Sequence, residues 1–333
     1  MHNDKTLVCI AFYNHKLFRF PAQVLNGSSM STLENIVCAQ LIGGLGNQMF
    51  QYAAGRSLSI RKQAEFYLDD GWFRSMGGAT PRTCDITRFP ALAQSGLFAP
   101  APLIKRLRYA PETRLQTLGR KLLRKEPALS EHYVAEDQTL PPIKTDCLPL
   151  PVYLSGYWQS ERYFADCADT IKEDFAFPDL ACDEARSLAR HMLQEDASVS
   201  LHVRRGDYVA APTTAAWHGI CGMDYYERAM AFAEQALAAP RYFIFSDDPD
   251  WCRAAFAASK RTITVVDVHG GNDAIHDLHL MTLCRHHIIA NSSFSWWGAW
   301  LSAREGLVVA PQRWFTAPSL AHVNPSPDRW KLV

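Results

Sequence analysis

The chain has 333 residues, of which 48% are hydrophobic and 20% charged, and its formal net charge is zero. This length favours two domains of about 150 residues each, and the composition is typical of a folded globular protein. A neutral chain lacks the overall positive field that attracts proteins to nucleic acid, so no nucleic-acid partner is expected. Any polyanion that it binds must be held at a local site.

Cysteine usage and hydropathy indicate where the protein works. Nine cysteines are spread along the chain without a Cys-x-x-Cys pair, which is typical of a reducing cytosol and not of a secreted disulfide framework. No apolar run approaches the length of about 20 residues that spans a bilayer. The sequence therefore predicts a cytoplasmic protein.

Residues 1–34 fit the pattern that follows them poorly and are interpreted as a leader extension. The chain then predicts a strand over 36–41, a glycine loop over 43–47, a helix over 48–62 and a strand that ends in Asp69 and Asp70. This βαβ opening begins an N-terminal α/β domain over 35–180.

The glycine loop also resembles a dinucleotide-binding fingerprint. Gly44 and Gly46 follow a strand, and Asp69 or Asp70 closes the next strand at about the distance expected for a ribose contact. Met49 occupies the third glycine position, where it would hold the helix away from the strand. A nicotinamide-dependent oxidoreductase is therefore an alternative, and a non-catalytic carbohydrate-binding protein is a third.

The middle of the chain is rich in proline, arginine and leucine. Within 103–125, Leu115, Leu118 and Leu122 fall at helical spacing among several arginines and lysines. Two interpretations remain open: a solvated helical insertion, or a basic face that makes a peripheral contact on the inner side of a membrane.

The second half alternates short β-branched strands with helices. Strands are predicted over 199–203, 242–245, 263–267, 288–290 and 307–310, and helices over 223–238, 249–258, 273–286 and 295–304. This alternation predicts a doubly wound parallel sheet in a C-terminal domain over 181–333.

Polar clusters follow three of these strands directly. Because ligands bind outside the carboxyl ends of strands in open α/β sheets, the clusters should share one nucleotide-sized site. Adjacent arginines can offer a guanidinium fork to a diphosphate, serines at a helix start favour an anion, and carboxylates can accept hydrogen bonds from guanine. The clusters are Arg204, Arg205 and Asp207; Asp247 and Asp248; and Asn291, Ser292 and Ser293.

A metal site is not predicted. His276 and His279 lie one turn apart, but the helical phases scatter the remaining histidines and cysteines. Asp247 and Asp248 also lack the intervening residue of the Asp-x-Asp motif found in many metal-dependent transferases. Neither a metal nor a cofactor is expected.

Five motifs resemble the α-1,2-fucosyltransferases of glycosyltransferase family 11. The resemblance implies two Rossmann-like domains of the GT-B type that face each other across a cleft. It implies inverting, metal-independent transfer of L-fucose from GDP-β-L-fucose to the 2-hydroxyl of a terminal galactose, in an oligosaccharide or an O-antigen-like glycan. The motifs are IGGLGNQMFQYA at 42–53, GYWQSERYF at 156–164, LHVRRGDYV at 201–209, FSDD at 245–248 and NSSFSWWGAWL at 291–301.

The resemblance also implies residue roles. Arg204 engages the donor phosphates, while His202 and one of Asp247 and Asp248 approach the guanine. Asn47, beside Gly46, faces the donor from the other domain. The stretch that closes on the β-phosphate matches Ser292, Ser293 and Phe294.

Arg204 and Asp207 are the predicted catalytic residues. Arg204 would stabilise the charge that develops on the leaving diphosphate. For the base that accepts the acceptor proton, Asp207 lies near the phosphate arginines in sequence, and Asp70 lies at a strand end in the other domain. Both remain open, as does a reaction without a strong base.

Overall fold

Two parallel β-sheets organise the computed structural model, which describes residues 33–74, 82–93, 96–205, 219–268 and 273–333. Residues 33–333 group into one compact unit that contains both sheets. The predicted leader falls outside the described residues except for its last two positions. The predicted α/β class with two parallel sheets, as in the GT-B type, is confirmed, whereas the exact domain boundaries stay a prediction.

The first sheet has four strands in the order β2-β1-β4-β3, and every neighbouring pair is parallel. Strands β3 and β4 have only three and four residues. Strand β1 is central and fully buried. The strands are β1 (Ile36–Gln40), β2 (Glu65–Asp69), β3 (Tyr133–Ala135) and β4 (Val152–Ser155).

In the described part of the first half there are four α-helices, and the longest, α1, packs on the first sheet. It begins three residues before the predicted start, so that Gly46 and Asn47 lie in its first turn and not in a loop. Its apolar side is buried, because Phe50, Ala53 and Leu58 are each fully inaccessible. The helices are α1 (Leu45–Lys62), α2 (Ala101–Arg108), α3 (Arg114–Leu122) and α4 (Ala168–Asp174).

The second sheet has six parallel strands in the order β10-β9-β8-β5-β6-β7, which confirms the doubly wound pattern. Helix α6 buries a stripe of Tyr226, Ala229, Met230 and Ala233. The strands are β5 (Ser198–Val203), β6 (Arg241–Ser246), β7 (Thr262–Val265), β8 (His286–Ile288), β9 (Val308–Ala310) and β10 (Lys331–Leu332). The helices are α5 (Asp183–Gln194), α6 (Met223–Ala236), α7 (Pro249–Ala255), α8 (Ala274–Leu283) and α9 (Ser293–Trp300).

Each sheet contains one point at which the strand order reverses. In the second sheet the chain runs outward from β5 through β6 to β7, then returns to β8 on the other side of β5. In the first sheet the same reversal separates β1 from β4. Ligands of open α/β sheets bind at the carboxyl edge of such switch points. The four segments that leave β1, β4, β5 and β8 are therefore those from which a site can be built.

A continuous aromatic core joins helix α1 of the first half to helix α9 of the second half. The Phe50 ring centroid lies 4.5 Å from that of Trp296 and 4.9 Å from that of Trp297. Phe164 stacks on Trp297 at 5.4 Å. Trp296, Trp297 and Trp300 all belong to this core, since all three are buried. This packing fixes the beginning of α1 against the beginning of α9.

Among the described residues, no helix combines the length and the apolar character that crossing a membrane requires.

Candidate active site

His202 lies near the carboxyl end of β5 and is 3% exposed. Among the described residues its Nδ1 has no hydrogen-bond partner, and its ring centroid lies 5.7 Å from that of Phe294 in α9. Burial, reinforced by the nearby Arg204 cation and opposed by Asp247, lowers the His202 pKa to about 4. The imidazole is therefore neutral near pH 7, and it presents a buried ring nitrogen without a partner. A buried polar atom of this kind is what a ligand can satisfy.

The low pKa of His202 predicts acid lability of the fold. His287 on β8 shares this behaviour, because burial lowers its pKa to about 3. The unfolded chain binds a proton on each histidine below about pH 6.5, whereas the folded protein does not, so stability falls as the pH decreases from there. At pH 5 each histidine should lower the free energy of unfolding by up to roughly 2 kcal/mol, measurable by urea titration at several pH values.

A His202→Gln variant should lose about half of this pH dependence. A curve for the variant that runs parallel to that of the parent would contradict the assignment of His202 as a neutral buried group.

Arg204 follows β5 and is held by Asp247, which follows β6. Arg204 Nη1 lies 3.1 Å from Asp247 Oδ2, and Asp247 Oδ1 accepts a hydrogen bond of 2.9 Å from the Arg205 backbone amide. Both side chains are partly exposed, at 22% and 26%. The carboxylate therefore orients the Arg204 guanidinium while leaving part of it accessible, as recognition of a phosphate requires.

The neighbouring pair, Arg205 and Asp248, is arranged differently. The Arg205 guanidinium lies over the Trp251 ring at 3.9 Å from its centroid, and its Nε lies 3.6 Å from Asp248 Oδ2. Asp248 is the N-cap of α7, because its Oδ1 accepts a 3.1 Å hydrogen bond from the Trp251 amide. The two aspartates therefore differ in role: Asp247 orients the Arg204 guanidinium, and Asp248 caps a helix.

The third predicted cluster lies between β8 and α9. Asn291 is buried, and its amide donates 3.2 Å hydrogen bonds to the carbonyls of Gly219 and Trp314, so it ties two loops together. Ser292 is the N-cap residue of α9, but its side chain makes no capping hydrogen bond. Helix α9 has no acidic residue in its first turn, so no carboxylate of that turn offsets its amides and positive dipole end.

The first half meets this helix terminus at Gly46 and Asn47. Asn47 Oδ1 accepts hydrogen bonds from Ser293 Oγ at 2.7 Å and from Gln159 Nε2 at 2.8 Å. The Gly46 carbonyl accepts a 3.0 Å hydrogen bond from Trp297 Nε1. A side chain at Gly46 would lie 2.6 Å from the Phe294 backbone nitrogen, so only glycine fits. Two helix N-termini, one from each half, therefore meet at the site.

Several residues that support the site were not predicted from the sequence. Gln48 donates to the carbonyls of Gly43 and Thr83, and its Oε1 accepts from two backbone amides. Gln51 joins the Ile42 amide to the Gly156 carbonyl. Both glutamines are completely buried. Because a buried polar side chain must be hydrogen-bonded, these residues fix the glycine loop in place.

Glu136 anchors the segment after β4. Its Oε2 accepts 2.7 Å hydrogen bonds from the amides of Tyr157 and Trp158, and burial raises the pKa of this carboxyl group. The segment is thereby fixed so that Gln159 reaches Asn47. Trp158 in this segment is fully buried.

Of the two candidate bases, only Asp70 lies among the described residues. Asp207 lies outside the described residues, so its catalytic role stays a prediction. Asp70 receives a 2.7 Å ion pair from Arg74. Its neighbour Asp69 is buried and accepts hydrogen bonds from Tyr153 and from the Gly71 amide. Within the described ranges, no three histidine, cysteine or acidic side chains are grouped so that they could hold a metal ion.

The arrangement gives this α/β protein a polar, anion-attracting site at the edge of its second sheet. At one sheet edge it combines a buried neutral imidazole, an oriented arginine and two helix N-termini. Residues 111–330 match the family model described as glycosyl transferase family 11. The chain belongs to this glycosyltransferase family. The match favours a glycosyltransferase over the alternatives of a nicotinamide-dependent oxidoreductase and of a non-catalytic carbohydrate-binding protein.

The similar proteins include other named glycosyltransferases. An α-1,2-colitosyltransferase of Escherichia coli is 30% identical over 90% of this chain and 99% of its own length. A galactoside α-(1,2)-fucosyltransferase 1 of Aotus azarae is 30% identical over 50% of this chain and 46% of its own. Among solved structures, an α-1,6-fucosyltransferase NodZ soaked with GDP-fucose is 15% identical, with a TM-score of 0.41 over 80% of this chain and 92% of its own.

Proposed function

We propose that the enzyme transfers L-fucose from GDP-β-L-fucose to the 2-hydroxyl of a terminal galactose, with inversion at the sugar carbon and without a metal ion. The observation that carries the proposal is the group of His202, Arg204 and Asp247 at the switch point of the second sheet. The names of the two similar transferases support the α-1,2 linkage. The acceptor is an oligosaccharide or an O-antigen-like glycan.

The donor would lie along the carboxyl edge of the second sheet. Guanine would satisfy the free Nδ1 of His202 and contact Asp247, while the diphosphate would lie between Arg204 and the first turn of α9. The acceptor would then approach from the first half, past Asn47. The predicted donor contacts through Arg205, Asp248, Asn291, Ser292, Ser293, Phe294 and Gly46 stay predictions.

Electrostatic stabilisation of the departing GDP accounts for the chemistry. In a single displacement the acceptor oxygen attacks the sugar carbon as its bond to the diphosphate breaks, which inverts the configuration. Negative charge then grows on the diphosphate, where Arg204 and the α9 amides can stabilise it from fixed positions. Such fixed dipoles need no reorganisation during the reaction.

Donor identity is tested by offering GDP-fucose, GDP-colitose, UDP-galactose and NADH to the purified enzyme with a galactoside. We expect transfer from GDP-fucose and a product whose nuclear magnetic resonance spectrum shows an α-linkage at the galactose 2-position. Colitose lacks the 3-hydroxyl of fucose. Because one of the similar proteins is a colitosyltransferase, faster transfer from GDP-colitose would identify that sugar as the donor and overturn the assignment of fucose.

Activity should survive an excess of EDTA. The cationic side chain and the helix amides supply the positive field that a metal ion supplies in other transferases. The two aspartates of the site are already engaged, one by arginine and one by a helix terminus. Initial rates with EDTA, and with added Mn²⁺ or Mg²⁺, should agree within about twofold. A rate that requires an added cation would contradict the roles assigned to Asp247 and Asp248.

Guanine selectivity should depend on Asp247 and not on Asp248. Adenine has neither the N1–H nor the N2 amine of guanine, so the wild-type enzyme should bind GDP at least roughly tenfold more tightly than ADP. Asp247→Asn should weaken GDP binding and reduce this preference in calorimetric titrations. Asp248→Ala should mainly lower stability, by about 1 kcal/mol, because it removes the α7 cap.

Asp248→Asn is the matched control, because asparagine caps a helix about as well as aspartate does. An unchanged GDP-to-ADP ratio in Asp247→Asn would show that the base is recognised elsewhere, with His202 as the next candidate.

A further inference from the structure

Helix α3 exposes its apolar side to solvent. The three leucines that share one face, Leu115, Leu118 and Leu122, are 82%, 58% and 76% exposed, and the adjacent Leu123 is 66% exposed. No residue of this helix is buried. Its half-buried positions are Thr117, Gly119 and Arg120. The arrangement is the reverse of the usual surface helix, which turns its apolar stripe to the core.

The helix holds its shape without burying these leucines. Thr113 and Gln116 form a capping box, with hydrogen bonds of 3.3 and 2.8 Å. Arg120 pairs with Glu112 at 2.9 Å on the polar side. An antiparallel β-bridge between Tyr109 and Leu129 joins the two ends of the segment that carries α3. The leucine face is therefore presented on a helix that is locally stabilised.

Exposed cations surround the leucine face. The stretch 103–125 contains eight lysines and arginines and a single glutamate, and that glutamate is the partner of Arg120. A contiguous apolar stripe bordered by cations matches an anionic bilayer, in which leucines enter the boundary of the acyl chains and the cations meet phosphate groups. The exposed cations nearest in sequence to the leucines are Arg114, Lys121, Arg124 and Lys125.

We propose that α3, with its leucine face and the surrounding cations, is a docking surface for the anionic face of a membrane. A second copy of the chain fits this surface poorly, because two basic rims would face each other and repel. The proposal is independent of the donor and acceptor assigned above.

Sedimentation of the full chain with lipid vesicles tests the proposal. We expect binding to phosphatidylcholine vesicles that contain about 30% phosphatidylglycerol and little binding to phosphatidylcholine alone, with release at high salt. The triple change Leu115→Gln, Leu118→Gln and Leu122→Gln should weaken binding at least about tenfold. Glutamine keeps the helix, and no buried contact is lost.

A matched control places the same three changes at exposed leucines elsewhere: Leu140→Gln, Leu193→Gln and Leu332→Gln. This control should bind vesicles as the wild type does. Transfer to a soluble galactoside should be unchanged in the α3 variant, so that a failure of the proposed chemistry is distinguishable from a failure of docking.

Three results would overturn the proposal: no binding of the wild type to anionic vesicles, equal binding to phosphatidylcholine alone, or equal binding by the α3 variant. A wild-type dimer in analytical ultracentrifugation that the α3 variant converts to a monomer would also overturn it, in favour of a second copy as the occupant.

Discussion

Replacing Arg204 by alanine is expected to lower the rate of transfer at least about a hundredfold while the protein stays folded. The guanidinium is partly exposed, and its described partner, Asp247, is partly exposed as well, so the loss leaves no fully buried charge unpaired. The effect should fall on kcat more than on KM, because charge on the diphosphate is greatest in the transition state. Steady-state kinetics with GDP-fucose and thermal unfolding together measure both effects.

Arg204→Lys should recover little of the lost activity, because an ammonium group cannot reproduce the fork that Asp247 orients. Arg253→Ala is a suitable control, since Arg253 forms surface ion pairs with Asp250 and Asp267 and is 47% exposed. The control should keep normal kinetics. If Arg204→Ala retained a rate within a few fold of the wild type, the leaving-group site would lie elsewhere.

The sequence predicts which polar clusters meet at one edge of the second sheet, because the rule that governs their placement is local. Polar residues that directly follow buried strands must lie at one sheet edge when the strands are parallel. The pairing of Arg204 with Asp247 across the ends of β5 and β6 is a direct consequence. Which aspartate caps a helix and which orients the arginine requires coordinates, because both follow the same strand.

The contacts between the two halves have no local signature. Asn47 and Ser293 are hydrogen-bonded although 246 positions separate them. Gln48 and Gln51 look like surface residues in the sequence, since polar side chains on a helix usually face water. Their burial follows from the hydrogen bonds that the glycine loop requires. Only the resemblance to a family pointed to Asn47 and Gly46 before the structure did.

The sequence also could not predict a very short strand or the exposure of a helix face, and both failures have physical reasons. Strand β3 has three residues, too few to show an alternating pattern. In α3 the spacing of the leucines correctly predicts a helix, but spacing cannot tell whether the apolar side faces a core or solvent. The leucine face is exposed because no other described part of the chain packs against it.

Gly46→Ala should disturb both stability and activity. The new Cβ would lie 2.6 Å from the Phe294 nitrogen and from the Ser293 carbonyl carbon, and both are backbone atoms that cannot rotate away. Helices α1 and α9 must therefore separate, which strains the hydrogen bond between Trp297 and the Gly46 carbonyl. Overpacking of this kind typically costs about 1–3 kcal/mol. A displacement of about 1 Å at the α9 amides should lower transfer by roughly a hundredfold.

Gly44→Ala separates this steric effect from a general loss of glycine. Gly44 precedes the same helix with a φ of −80°, and a Cβ there meets no atom within 4 Å. Its variant should unfold within a few degrees of the wild type, whereas Gly46→Ala should unfold clearly earlier in calorimetry. Equal unfolding temperatures for the two variants would show that the helices tolerate the extra methyl group. The site would then not require the close approach of Gly46 to α9.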